Sequence, residues 1–303
     1  MRWQTALVLC AGCDAIFGLH DRAPAIDGPA SGGDGSAAAC IHSHAVLIYG
    51  SDDSDGDGDP DCTDPCPIDS RYTSMTPGLI DSDGDGLPDV CDPDPMGTSS
   101  EPDCIVLLDG FADTKHPAID DRWLSASNTG DKWQWDSHAC TSGHIAFCSP
   151  IDATLGVLYF QDPLHDITTV VAEGAMFNAP ASFFFDVMPD ASPDGSDLDG
   201  RSCDFIGPTM NPGIDDITAG SAVRVMNGSD GLLYGSGGTL RIGAVPAATW
   251  DCVVGEAGSG SNVTTTKPIP TTPPPDGTVG IRIKGGDAEV HFIAAFATGS
   301  ACE

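Results

Sequence analysis

The sequence predicts an all-β chain with two textures, an irregular acidic segment followed by a β-sandwich. Three observations carry this reading. Of 303 residues, 37 are Gly and 24 are Pro, so about one residue in five breaks a helix, which excludes a helical bundle or a coiled coil. The acids are forty Asp against five Glu (Glu101, Glu173, Glu256, Glu289 and Glu303). Asp serves turns and ion-binding loops, whereas Glu serves helices. Beyond Cys104 the chain becomes a series of short apolar or alternating runs separated by Gly, Pro, Asp and Asn, the texture of half-buried strands. With 40% hydrophobic residues there is enough apolar material for a core.

Twelve basic side chains stand against 45 acidic ones, a formal charge of -33. Such a field repels phosphate backbones and excludes a nucleic-acid partner. No apolar run approaches the roughly 20 residues needed to cross a bilayer, so membrane attachment can come only through a lipid.

Arg2 followed by the apolar stretch Thr5–Gly12 reads as a short positive n-region and h-region. It ends in Ala11-Gly12-Cys13, which resembles the bacterial lipobox, with Cys10 where that motif usually has Leu. In that family the Cys is diacylated and becomes the new N-terminus. The resemblance implies a signal peptide over residues 1–13, lipidation of Cys13, and an exported, membrane-anchored lipoprotein at the outer membrane or cell surface. A truncated ordinary signal peptide or a cytosolic start is the alternative. Residues 14–45 are read as a flexible linker, because their Gly/Ala/Asp/Pro/Ser-rich run through Ala39 cannot bury enough apolar surface to fold.

Twelve Cys are present. Setting aside Cys10 and Cys13 leaves Cys40, Cys62, Cys66, Cys91, Cys104, Cys140, Cys148, Cys203, Cys252 and Cys302, an even number in an oxidising compartment, hence a disulfide framework. A zinc site is the weaker reading. Cys62 and Cys66 have a permissible spacing, but no second Cys or His pair follows at zinc-finger distance.

Residues 52–94 hold fourteen Asp and one base, Arg71. Two stretches organise them, Asp53–Asp64 and Asp81–Asp92. Each places acids at positions 1, 3, 5, 9 and 12 of a twelve-residue loop: Asp53, Asp55, Asp57, Asp61 and Asp64, then Asp81, Asp83, Asp85, Asp89 and Asp92. Gly58 and Gly86 take position 6. Short oxygen ligands at alternate positions wrap a Ca2+ ion, Gly allows the sharp turn, and position 7 (Asp59, Leu87) offers its carbonyl. Position 12 is Asp where Glu is usual, one methylene shorter. A solvated acidic run is the bland alternative, but two full matches 28 residues apart favour calcium. Without the ion these carboxylates repel, so calcium binding and ordering of the segment become one event.

Pro65, Pro67, Pro93 and Pro95 follow the loops directly and forbid the helices that an EF-hand or a dockerin requires. Asp64-Pro65-Cys66-Pro67, and Pro88-Asp89-Val90-Cys91-Asp92 within the next loop, resemble thrombospondin type 3 repeats across about residues 52–95. In that family, Asp-rich loops with little regular structure wrap calcium and are stapled by disulfides between successive repeats. The resemblance implies a repeat segment over 46–103 and a Cys66–Cys91 bridge. Cys62 departs from the pattern and is paired with Cys40.

The region 104–303 holds the strands. Ile105–Leu108, Val157–Phe160, Thr168–Ala172 and Ser182–Val187 are β-branched or aromatic runs. Ala222–Met226, Thr239–Ile242, Gly280–Lys284 and Glu289–Ile293 alternate apolar with polar. About ten to thirteen such strands make a β-sandwich. First and last strands are often neighbours there, which pairs Cys104 with Cys302. Cys140 and Cys148 would close a hairpin, and Cys203 and Cys252 would join mid-domain strands. The stretch Gly255–Gly277, ending in Pro273-Pro274-Pro275, is read as an exposed loop insertion.

Asp109-Gly110-Phe111, then Trp123, Trp133 and Trp135, and the closing Val279–Ile283 strand followed by a Gly-rich turn resemble a laminin-G-like or concanavalin-A-like jelly roll. Many members of that fold bind sugars and others do not. The chain as a whole resembles bacterial surface lipoproteins that join type 3 repeats to such a domain. Trp133-Gln134-Trp135 places two rings on one face, which packs as core more often than it stacks on a sugar.

No Gly-x-Ser-x-Gly elbow, His-Glu-x-x-His or phosphate-binding Gly loop occurs. The Glu-x-Asp-x-x-Glu strand of jelly-roll glycosidases is absent too, since no Glu has that spacing. His42-Ser43-His44 is read as an exposed loop in preference to a metal site, and His138 and His144 flank Cys140 without a motif. The sequence therefore predicts a non-catalytic, calcium-binding surface lipoprotein whose lectin-like domain binds carbohydrate or a protein partner. The alternatives are a purely structural or adhesive spacer, and an Asp-based polysaccharide hydrolase.

Overall fold

The computed structural model describes residues 40–42, 45, 53–92, 103–111, 123–125, 133–135, 145–147, 155–177, 183–194, 197–207, 211–219, 221–227, 239–245, 249–256, 263–265, 269–270, 277–284 and 287–302. Residues 38–303 form one compact unit; residues 1–37 are grouped separately, and the lipobox with Cys13 lies outside the described residues, as do Cys140, Cys148, His138 and His144.

Sixteen strands are present among the described residues. They begin with β1 (Asp103–Asp109), β2 (Trp123–Ser125), β3 (Trp133–Trp135), β4 (Ile145–Phe147), β5 (Leu155–Phe160), β6 (Ile167–Phe177), β7 (Phe183–Asp194) and β8 (Asp197–Gly207). They continue with β9 (Asn211–Thr218), β10 (Ser221–Asn227), β11 (Thr239–Val245), β12 (Thr249–Glu256), β13 (Val263–Thr265), β14 (Ile269–Pro270), β15 (Thr278–Lys284) and β16 (Asp287–Thr298). A short 3-10 turn, Gly299–Cys302, ends the described chain.

Two antiparallel sheets result. One has nine strands in the order β13-β12-β11-β6-β16-β4-β3, with β1 on β16 and β14 on β12; the other has seven, β10-β9-β8-β7-β15-β5-β2. The chain passes repeatedly from one sheet to the other, which is the winding of a jelly-roll sandwich. β16 is the spine of the larger sheet. It pairs β6 along one edge and shares the other between β4 near its start and β1 towards its end.

Alternation fills the space between the sheets. Phe160, Phe185, Phe205, Ile281 and Ile293 all point into it and are fully or almost fully buried. Trp123 joins them, its ring edge-on to Phe160 and its Nε1 donating to Asp109 Oδ2 at 2.7 Å; this indole packs as core. The Cys203–Cys252 disulfide ties β8 to β12 across the sandwich, and Cys104–Cys302 ties β1 to the turn after β16.

The sixteen strands exceed the number read from the sequence for a clear reason. β8 (DLDGRSCDFIG) and β9 (NPGIDDIT) are rich in Asp and Gly and read as turns. The stretch Gly255–Gly277, read as one loop, contains β13 and β14, both paired back onto β12.

The polar positions of β8 and β9 build a charge ladder on the outer face of the seven-stranded sheet. Arg282 on β15 donates to Asp186 at 2.8 Å and to both oxygens of Asp197 at 2.6 and 3.0 Å. Arg224 on β10 reaches Asp204 at 2.6 Å and Asp215 at 2.7 Å. Its guanidinium crosses β9 over Gly213, where a β-carbon would collide with it. Gly213→Ala is therefore expected to push Arg224 off Asp204 and destabilise the fold by about 1–3 kcal/mol. Thermal denaturation checks this, and the loss should shrink when Arg224 is already Ala. Met188, Ala191 and Leu198 gather with Val157 and Ile217 on the same outer face, where Ala191 and Leu198 fill the space above Gly280.

Candidate calcium sites

The two acidic loops fold alike because their sequences repeat Asp-Ser-Asp-Gly-Asp-Gly. In the first, Asp53 Oδ1 accepts from the amides of Gly56 and Asp57, and Oδ2 from Gly58. In the second, Asp81 Oδ1 accepts from Gly84 and Oδ2 from Gly86. Curling the backbone around one carboxylate requires left-handed residues, and Gly56, Gly58, Gly84 and Gly86 have φ of +78°, +97°, +83° and +104°. Side chains other than Gly would be strained there. Position 4 thus needs Gly as much as position 6 does.

Position 9 closes each loop on itself. Asp61 accepts from the amide and hydroxyl of Ser54 at 2.7 and 2.6 Å, and Asp89 does the same with Ser82 at 2.7 and 2.7 Å. At position 7, Asp59 spends a side-chain oxygen on the amide of Ser74. Positions 3, 5 and 12 divide their oxygens differently. Asp55 Oδ1 accepts from Asp57 N, Asp57 Oδ1 from Asp59 N, and Asp64 Oδ1 from Cys66 N. The second oxygens of Asp55, Asp57 and Asp64 are buried and have no hydrogen-bond partner.

Oxygens of Asp53, Asp55 and Asp57 come within 4.8 Å of one another, as do those of Asp81, Asp83 and Asp85. A third group joins Asp85 and Asp92 to Asp103 on β1. Nothing in the spacing of residues 81–92 signals Asp103; the fold alone brings it there, and its amide donates to Asp85 Oδ2 at 2.9 Å.

Crowding these acids has an electrostatic consequence. Burial, then the charges of Asp57 and Asp64, pushes Asp55 up to about 8. Burial raises Asp64 to about 7, against the stabilising Cys66 amide, and Asp61 to about 6, against Ser54. Asp57 and Asp83 are also raised, by desolvation first. An uncompensated cage of this kind favours protons or a cation. The donor set is hard carboxylate oxygen, the set that suits Ca2+.

The loops are seated on the sandwich. Cys66, Ile68, Leu87 and Cys91, with the Cys66–Cys91 disulfide among them, pack onto Ile105 and Leu108 of β1 and Phe292, Ala294 and Phe296 of β16. Ser54 fills the space above Gly110, leaving no room for a β-carbon. The Cys40–Cys62 disulfide brings the preceding segment alongside, where Ile41 N donates to the Cys62 carbonyl. His42 is buried, not in an exposed loop. Its Nε2 lies 2.7 Å from the Asp64 carbonyl oxygen and donates to it, while burial holds the ring below its ordinary pKa.

No protein-family model and no curated protein sequence matches this chain. Solved structures are similar to it in fold. The carbohydrate-binding module CBM66 from Bacillus subtilis has 9% identity over 58% of this chain and 96% of its own, with a TM-score of 0.42. Peanut lectin has 10% identity over 66% and 97%, with a TM-score of 0.43. The CBM2 module of the evolved Dit of Lactobacillus casei BL23 phage J-1 has 10% identity over 66% and 97%, with a TM-score of 0.46. At such identities the likeness is one of fold.

Of the residues singled out from the sequence, Asp53, Asp55, Asp57 and Asp64 meet around the first loop, and Asp81, Asp83 and Asp85 in the second. Asp61 and Asp89 face their own loops as struts. Trp133 and Trp135 lie on β3, paired with β4.

Proposed function

We propose that the chain is an exported, calcium-loaded, non-catalytic surface module, anchored through a lipidated Cys13, whose jelly roll serves as a glycan-binding platform. The calcium part is supported by one observation above the others: the buried, unpartnered oxygens of Asp55, Asp57 and Asp64 in the loop that also holds Asp53. Leaving buried carboxylate oxygens unmatched is costly, and a Ca2+ ion bound by several of them removes that cost. In the first loop Asp53, Asp55, Asp57, Asp64 and the Asp59 carbonyl would hold the ion. In the second, Asp81, Asp83, Asp85, Asp92 and the Leu87 carbonyl would do so, with Asp103 alongside. The calcium supplies positive charge and coordination; Asp61, Asp89 and the four positive-φ glycines hold the loops in the binding shape.

In this reading calcium does more than order a spacer. The loaded loops sit on β1 and β16 of the outer face of the nine-stranded sheet, while hydrophobic residues and the charge ladder occupy the outer face of the other. A glycan is then met by the loops and edges between the strands. A protein partner is the other ligand class, and a purely structural protein is the alternative.

The test is retention of the purified protein on a polysaccharide panel, run with calcium and with excess chelator. Calcium-dependent retention on one polymer supports the reading. No retention in either condition, with calcium still taken up in calorimetry, removes the glycan part and leaves a structural module. No uptake of calcium removes the reading altogether.

A further inference from the structure

The charge ladder on the seven-stranded sheet contains more negative charge than its cations can match. Among the described residues, six ionisable groups face this layer and pair within it: Asp186 from β7, Asp197 and Asp204 from β8, Asp215 from β9, Arg224 from β10 and Arg282 from β15. Four carboxylates share two guanidinium groups. Asp186 and Asp204 are direct cross-strand partners, an arrangement in which like charges repel, and they are 2% and 1% exposed. Each gives one oxygen to an Arg, while Asp186 Oδ1 and Asp204 Oδ1 are buried with no hydrogen-bond partner, as is Ser202 Oγ two residues before Asp204.

An excess of buried acceptors needs a donor or a cation. A metal fits poorly, because among the described residues no three carboxylates of this layer bring oxygens within 4.8 Å of one another. A proton fits well. It removes one negative charge and gives Asp204 a donor to offer to the neighbouring Asp215 carboxylate. Catalysis by the Asp186–Asp204 pair is a poor fit, since both are sealed from solvent.

We infer that Asp204 is carried in the folded protein as the neutral acid, its proton shared with the carboxylates beside it, and that release of this proton to water loosens strands β7–β10 as the pH rises. Burial, then Asp186 and Asp215, raises Asp204 to about 9 against the pull of Arg224. Asp186 is raised too, by burial, with Arg282 opposing. Between its unfolded and folded pKa values, a group whose folded pKa is raised holds its proton in the native state only. Its contribution to stability is therefore fully present below the unfolded range near 4 and is lost as pH climbs towards 9.

Asp204→Asn keeps the shape and one oxygen for Arg224 but cannot ionise. In saturating calcium, which removes the loop acids from the comparison, the unfolding constant of the variant should rise tenfold less per pH unit between about pH 5 and 8 than that of the natural protein, one proton's worth. Equal slopes overturn the inference. Should the variant fail to fold, infrared spectra of the natural protein decide the matter. The carbonyl stretch of a protonated carboxylic acid at neutral pH with calcium bound supports the inference, and its absence overturns it. Restoration of high-pH stability by a divalent cation in a chain with Asp53, Asp55, Asp81 and Asp83 changed to Asn also overturns it, by placing a metal where the proton is proposed.

Discussion

Stripping divalent cations from the purified protein with excess chelator is expected to lower its melting temperature and open the amides of residues 53–92 to hydrogen exchange; added calcium should restore both. A ligand at a hundredfold its dissociation constant stabilises by about 2.7 kcal/mol per site, and for a chain of this size that is roughly 5 °C or more. The effect should also depend on pH in a definite direction. Without a cation, burial raises Asp55 to about 8, Asp64 to about 7 and Asp61 to about 6. These acids hold protons in the folded loop that the unfolded chain has released, so the stripped protein loses stability as pH rises from about 4 through 8. Calcium needs the carboxylates ionised, so its own contribution grows over the same window. The gap in melting temperature between loaded and stripped protein should therefore widen from pH 5 to pH 8. A gap that stays constant with pH would show that these oxygens are not the ligands.

Phe292→Ala should be the most damaging single truncation on the outer side of the larger sheet. The ring is fully buried, among Ile105, Leu108 and Phe296 of the sandwich and Ile68 and Leu87 of the acidic segment. Truncation of such a ring removes its transfer energy and leaves a cavity, a loss of about 3–5 kcal/mol. A comparison separates its two roles. Phe160→Ala, on the inner side, should cost a similar amount while leaving residues 53–92 protected as the sandwich allows. Phe292→Ala should reduce protection of residues 53–92 under native conditions as well. Equal protection in the two variants would mean that the segment is held by its disulfides and loops, with the hydrophobic seat contributing little.

The all-β class was legible because it rests on short-range physics. Gly and Pro exclude helices wherever they fall, and period-2 runs such as Gly280–Lys284 and Glu289–Ile293 mark strands regardless of their partners. The run through β16 carried a further signal that is easy to miss. Phe292–Ala297 is continuously apolar, which is what a strand buried on both faces requires. One face meets the other sheet and the other meets Ile68, Leu87 and the Cys66–Cys91 pair. Strands β8 and β9 were illegible for the opposite reason. Their Asp and Gly residues obey turn statistics, and they form strands because Arg224 and Arg282 arrive from β10 and β15 to match part of the charge.

The acidic loops show where local information ends. Repetition of Asp-Ser-Asp-Gly-Asp-Gly determined two loops with acids at alternate positions and glycines at the left-handed turns, because carboxylate-to-amide bonds over two to five residues need no distant partner. The same pattern cannot say which oxygens are used up within the loop. Asp61 and Asp89 turn to Ser54 and Ser82, whereas Asp55, Asp57 and Asp64 keep an oxygen inside. Nor can it say that Asp103 meets Asp85 and Asp92, that His42 meets the Asp64 carbonyl, or that Asp186 faces Asp204. Those encounters join positions up to 22 residues apart in sequence. They are decided by strand register and by the docking of the loops on β1 and β16, which exist only once the sandwich has closed. Local sequence sets the period-2 strands, the two acidic loops and the excess of negative charge, but not β8 and β9. Tertiary structure decided which carboxylates share a space, and so where that charge must be neutralised.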